Sequence, residues 1–199
     1  MVNEILKKDE NKSNIFAKLK QDYRTLSKNR IKSLTPDYRK NSSFKIQDHI
    51  QKLIKKIDCS SGLKSTWAAF QSLPSEPTLN WSEIDRNITW CFPETKEGKL
   101  CFVTTDGLVI SLSDIDGVFV PALAFNTNGA RLGRGMGFYD KTLNGYERLK
   151  IGIAYDCNVS DEVPYESHDV KMNYIITESR ILDGVDHRID QNDPKTEGR

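Results

Sequence analysis

The chain has 199 residues, 37% of them hydrophobic and 29% charged, with a net charge of +1. That suffices for one domain with a sizeable core, and it is polar for a globular protein but well short of a disordered profile. The near-zero net charge argues against a nucleic-acid partner, no stretch approaches the length of a membrane span, and the four scattered cysteines (Cys59, Cys91, Cys101, Cys157) form no CxxC pair, which fits reduced thiols better than a disulfide framework or a cysteine zinc site.

The N-terminus is polar and charged, so no signal peptide is expected and the cytoplasm is the expected location. Charge is unevenly spread. Residues 1–60 carry 15 Lys and Arg against 7 Asp and Glu. Such a segment reads either as the solvated surface of helices or as a face for a polyanion such as RNA. His49, His168 and His187 do not sit at ligand spacing from the cysteines.

In chain order, residues 1–12 read as a flexible tail. A helix is predicted from about Ser13, as N-cap, to Ser33, with Ile15, Leu19, Tyr23 and Leu26 at helical spacing. Thr35-Pro36-Asp37 restarts a second helix, with Pro36 at its favoured first position. That helix runs to about Asp58, with Phe44, Ile46, Ile50, Leu53, Ile54 and Ile57 as its core side. Ser65–Gln71 reads as a buried strand, Leu73–Pro77 as a loop, Asn80–Arg86 as a short helical connection and Thr89–Phe92 as a strand. Thr105-Asp106-Gly107 between Leu100–Thr104 and Leu108–Leu112 predicts a hairpin.

The densest stretch is 117–143, GVFVPALAFNTNGARLGRGMGFYDKTL. Val118–Phe125 reads as a strand buried on both faces, and Asn126-Thr127-Asn128-Gly129 as a turn. Then comes RLGRGMG, followed by a predicted helix from Phe138 to Leu149. Alternate glycines let backbone N–H groups approach an anion, the helix start adds unpaired N–H groups, and Arg131 and Arg134 add planar cations suited to phosphate. A phosphate cradle or a plain glycine-rich turn both fit this spacing. A Walker P-loop does not fit, since no GK[ST] closes the loop, nor does the Rossmann GxGxxG. Beyond it, Lys150–Tyr155 and Lys171–Thr177 read as strands flanking a long loop, and the chain from Asp183 as a polar tail. Alternating strands and helices predict a single three-layer αβα domain over 13–182 with a largely parallel or mixed central sheet.

VPALAF, NTNGA and RLGRGMGFYD resemble the signature of the 5-formyltetrahydrofolate cyclo-ligase (methenyltetrahydrofolate synthetase) family, VPGLAF, a glycine turn, then RLGxGxGYYD. VPYESHDV at 163–170 resembles its LPxExHDV, and Lys20 and Arg24 match its basic-x-x-x-Arg in the first helix. The resemblance implies ATP- and Mg²⁺-dependent cyclisation of 5-formyltetrahydrofolate to 5,10-methenyltetrahydrofolate, with ADP and phosphate released, by a monomer. It implies ATP contacts at Lys20, Arg24 and Arg131 through Tyr139 (Leu132, Gly133, Arg134, Gly135, Met136, Gly137 and Phe138 between them). It implies folate contacts at Gln71, Glu76 and Arg134 to Phe138, Mg²⁺ ligands at Asp140 and Asp169, and catalytic roles for Arg131 and Tyr139.

Four departures accompany the match. Phe138 stands where the family has Tyr, Thr78 where it has an acidic residue two positions after Glu76, Asn173 where it has a carboxylate, and no G-I-x-E-P-like segment lies between Pro93 and Val118. A divergent member that binds nucleotide or folate without turnover, and an RNA-binding module, are the other readings these residues admit.

Overall fold

The computed structural model describes residues 2–58, 64–166 and 169–184, with side chains described from Asn14 onward and not at Asp58. Cys59, His168, His187 and most of the expected C-terminal tail therefore lie outside the described residues.

Two long helices open the chain, α1 (Val2–Ser33) and α2 (Pro36–Asp58). α1 begins before the expected Ser13 cap, which lies within it. α2 has its expected bounds: Thr35 Oγ1 accepts the Tyr38 N–H at 3.2 Å, Pro36 opens the helix and Asp37 lies in its first turn.

The sheet order is β10-β9-β8-β5-β1-β2-β3-β4. Its centre is parallel: β1 (Thr66–Ala68) pairs with β2 (Thr89–Lys96) and β5 (Gly117–Pro121), β5 with β8 (Leu149–Ile153), and β8 with β9 (Tyr174–Ile176). Both flanks are antiparallel, with β3 (Lys99–Thr104) and β4 (Val109–Ile110) at one end and β10 (Ile181–Asp183) at the other. The Asp106-Gly107 hairpin is present. A second one, Glu97-Gly98 joining β2 to β3, was not expected, because Glu-Gly is a weaker turn signal than Asn-Gly or Asp-Gly.

Ile46, Ile50, Leu53 and Ile54 of α2 pack with α3 (Trp81–Ile84) against Trp67, Phe119 and Ile151 on one face of the sheet. Trp81 lies 5.0 Å from Phe119 and 5.2 Å from Trp90, ring centre to ring centre. Val118 and Val120 point the other way, toward Phe125, Leu143, Tyr146 and Met172. β5 is thus buried on both faces, as its apolar run implies. Phe44 departs from the predicted core side and is exposed, because the elements packed on α2 at its position are a polar loop rather than the sheet.

α1 does not lie on the sheet. It docks on the strand-end loops through Tyr23, Ser27 and Ile31, with Asn158 Nδ2 donating to Ser27 O at 3.1 Å. Of the expected core row Tyr23 is buried, against Ala124, Leu132 and Val163, whereas Ile15, Leu19 and Leu26 face outward.

The expected strand Val118–Phe125 is two strands. Pro121 ends β5 and breaks the ladder, and β6 (Ala124–Phe125) leaves the main sheet to pair with β7 (Arg131–Leu132) across the predicted turn. The predicted helix 138–149 is one short helix, α4 (Phe138–Thr142), ended before Gly145, which has φ +77°.

Candidate functional site

The β6–β7 hairpin lifts the glycine loop over the carboxyl ends of the parallel strands. There it faces α1, the 72–77 strap after β1, and the loop before β9 that carries Asp169. These walls enclose a cleft of about 510 Å³. Every site residue expected from sequence lines it: Lys20, Arg24, Gln71, Glu76, Arg131 through Tyr139, Asp140 and Asp169. The Arg131–Asp140 segment is thus brought against residues far from it in sequence.

The cations and carboxylates are paired across elements. Arg131 Nη2 meets Asp140 Oδ2 at 2.8 Å, with 6% of the Arg131 side chain exposed. Arg134 Nη2 meets Glu76 Oε1 at 2.8 Å and Ser75 Oγ at 2.6 Å. Lys20 Nζ meets Asp169 Oδ2 and Glu166 Oε2, each at 2.8 Å. Burial by itself would lower the Lys20 ammonium, but its bonds to Asp169 and Glu166 outweigh that and hold it above its ordinary value. Arg24 makes no ion pair among the described residues. Its Nε donates to Gly133 O at 3.0 Å.

Two glycines are demanded by this geometry. A Cβ on Gly133 would stand 2.6 Å from Arg131 Nη1, whose guanidinium is already committed. Gly135 has φ +102° and lies under the Arg24 guanidinium. The helix start contributes less than its sequence suggested: α4 has five residues, too few for a macrodipole of consequence. The electropositive character therefore rests on the arginines and the loop.

Tyr139 packs beneath the Arg131 guanidinium, 5.4 Å from its carbon. Burial pushes its phenol up, against a smaller opposing pull from Arg131. It is a hydrogen-bond donor, not a phenolate, at neutral pH. Arg131 Nε and Asp140 Oδ1 are buried with no hydrogen-bond partner. Each half of that ion pair thus keeps a spare valence beside the cleft, one for an anion and one for a cation. Among the described residues no three His, Cys, Asp or Glu side chains group as a self-sufficient metal cage.

The opposite wall was less legible. Phe70, Leu73, Pro93, Thr95, Leu100, Pro121 and Ala122 also line the cleft. The β2–β3 hairpin brings Pro93, Thr95 and Leu100 to it, so the stretch lacking the G-I-x-E-P-like segment still supplies a wall. A reading of TWCFPETK and KLCFVT as strands around Glu97-Gly98 would have found them. Asn173 is not at the cleft. Its Oδ1 accepts the Lys150 N–H at 2.7 Å inside the sheet.

Fold and cleft together define an α/β protein with an open cleft beyond the strand ends of a parallel sheet, floored by a glycine loop ringed by paired cations and carboxylates. A family model described as the 5-formyltetrahydrofolate cyclo-ligase family matches residues 76–178, and the chain belongs to that family. It is 43% identical over 72 residues to a 5-formyltetrahydrofolate cyclo-ligase of Mycolicibacterium smegmatis, covering 35% of this chain and 37% of that protein. It is 37% identical over 76 residues to that of Escherichia coli K12, covering 37% and 42%. The matched stretches thus span less than half of these curated relatives. Among solved structures, a 5,10-methenyltetrahydrofolate synthetase from Mycoplasma pneumoniae superposes with a TM-score of 0.70 at 25% identity, over 80% of this chain and 98% of that one. The Aquifex aeolicus synthetase shares the fold, with a TM-score of 0.70 at 19% identity over 90% and 100%.

Proposed function

We propose that the protein is a 5-formyltetrahydrofolate cyclo-ligase that consumes ATP. The observation that carries the reading is the convergence of Lys20, Arg24, Arg131, Arg134, Asp140 and Asp169, from three separate stretches of chain, on one cleft. In this reading Lys20, Arg24, Arg131, Arg134 and the 133–137 backbone hold the triphosphate. Gln71, Glu76 and the apolar wall hold the folate, with Phe138 against the pterin and Met136 at the lip.

Asp140 and Asp169 fit a Mg²⁺ ion. Asp140 Oδ1 is the spare acceptor, and magnesium characteristically takes one or two protein carboxylates and fills its shell with phosphate oxygens and water. Bound there, the ion would supply positive charge to offset that of the transferring phosphoryl group. The formyl oxygen attacks the γ-phosphorus and the bond to ADP breaks. N10 then attacks the activated carbon, loses its proton, and phosphate leaves. Arg131, with its Nε free, stabilises charge as it builds on the phosphoryl oxygens, and Tyr139 keeps that guanidinium in place. The protein's part is positioning and electrostatics, without a covalent enzyme intermediate.

No described helix is long and apolar enough to cross a membrane, and a monomer working in the cytoplasm accords with this reading. The test follows methenyltetrahydrofolate formation by its near-UV absorbance, from 5-formyltetrahydrofolate with and without Mg-ATP. ATP-dependent product is the expected result. A folded protein that binds ATP and yields no product would instead be a family member without turnover.

A further inference from the structure

Glu76 is carried by a strap whose internal bonds set its shape: Ser72 Oγ donates to Pro77 O at 2.7 Å, the Glu76 N–H to Leu73 O at 2.8 Å, and the Leu73 N–H to Glu76 Oε2 at 3.0 Å. None of these bonds fixes where the strap sits against the cleft. On the cleft side Arg134 holds it through Ser75 and Glu76, and from behind it is held by one row of α2. Arg39, Ser43 and Gln47 lie at successive helical turns. Arg39 Nη2 donates to Pro74 O, and Arg39 Nε to the Tyr155 hydroxyl at 3.4 Å. That hydroxyl donates to Glu76 O at 3.5 Å. Further along the strap's exit, Thr78 N–H reaches Ser43 Oγ at 3.0 Å and Asn80 N–H reaches Gln47 Oε1 at 3.1 Å.

Arg39 makes no ion pair among the described residues. Its side-chain hydrogen bonds go to the strap and to Tyr155, a buried side chain that also touches the strap. A lysine could not make both bonds, because its donors radiate from one atom while the guanidinium spans the gap.

From this row we infer that Arg39 is a positioning residue for Glu76, acting across the strap from outside the cleft. Removing its side chain frees the Pro74–Glu76 backbone, lets the carboxylate drift, and weakens whatever Glu76 holds. The inference rests on the proposed folate role of Glu76 for its kinetic consequence, but not for its structural one. Arg39 also lines a separate groove of about 710 Å³ on the far side of the strap. That opening gives a small cation access to the place its guanidinium would vacate.

The test uses the full chain with Arg39→Ala, and Lys40→Ala, a groove neighbour that makes no hydrogen bond to the strap among the described residues, as control. Hydrogen exchange of the Leu73 and Glu76 amides is expected to quicken about tenfold in Arg39→Ala, the loss of one charge-assisted hydrogen bond, and to stay unchanged in Lys40→Ala. Guanidinium ion, far below denaturing concentration, is expected to restore it. In the same variant KM for 5-formyltetrahydrofolate rises with kcat nearly unchanged, and that rise vanishes in a Glu76→Gln background. Unchanged strap exchange in Arg39→Ala overturns the inference, as does a KM effect undiminished by Glu76→Gln. If the wild type makes no methenyl product, the proposed activity fails instead, and the exchange rates alone still decide for or against Arg39.

Discussion

Arg131 holds its guanidinium almost out of water against the Asp140 carboxylate, with Nε still free. Truncation would remove the charge nearest the proposed phosphoryl group and leave Asp140 partly buried without its cation. Arg131→Ala is expected to lower kcat/KM by about two to three orders of magnitude, the usual effect of deleting a preorganised donor, and to weaken ATP binding. The fold should survive, as followed by circular dichroism; unchanged kinetics would remove Arg131 from the chemistry. Lys20 yields a prediction about pH. Its folded value lies above its ordinary 10.5, so the stability it contributes is complete below that pH and is lost as pH climbs through the folded value. The difference in melting temperature between wild type and Lys20→Met should be flat from neutral pH to about 10 and shrink above it. A difference that fades near neutrality would mean that the Asp169–Glu166 clamp does not hold a charged amine.

At the scale of elements, strong local chemistry was legible and weak local chemistry was not. Thr35-Pro36-Asp37 specified the start of α2 because a cap, a preset φ and an acidic first turn agree there. Arg131 through Asp140, with Lys20 and Arg24, could be read as one site because a motif ties them together. The strap's anchors on α2 could not, since nothing in the spacing of Arg39, Ser43 and Gln47 says what they face. The apolar row of α1 misled for a related reason: periodicity finds an apolar stripe, but only Tyr23 of that stripe docks, alongside Ser27 and Ile31. The missed β2–β3 turn puts Glu97 at φ +51°, a conformation that asparagine tolerates better. Glu97→Asn should therefore raise stability by up to about 1 kcal/mol, read as a higher urea midpoint at unchanged m-value. A lower midpoint would mean that the glutamate side chain contributes more than its backbone strain costs.

Across the whole molecule, the cleft is arranged so that three of its four cations are already neutralised, each by a carboxylate from a different part of the chain or of the loop. A polyanion arriving alone would have to draw Lys20 and Arg131 from Asp169 and Asp140, and would leave two carboxylates facing its phosphates. A triphosphate arriving with a divalent cation would meet no such conflict, because the metal would take the carboxylates as the phosphates take the cations. Ligand stabilisation should therefore depend on the metal. Saturating ATP with Mg²⁺ is expected to raise the melting temperature by several degrees, since a ligand at about 1,000 times its Kd adds about 4 kcal/mol. ATP with EDTA should produce little of that rise, and Mg²⁺ alone still less. Equal stabilisation by ATP with and without the metal would show that Asp140 and Asp169 remain with Arg131 and Lys20 when the nucleotide binds. The cleft would then be an arginine cradle without a magnesium site.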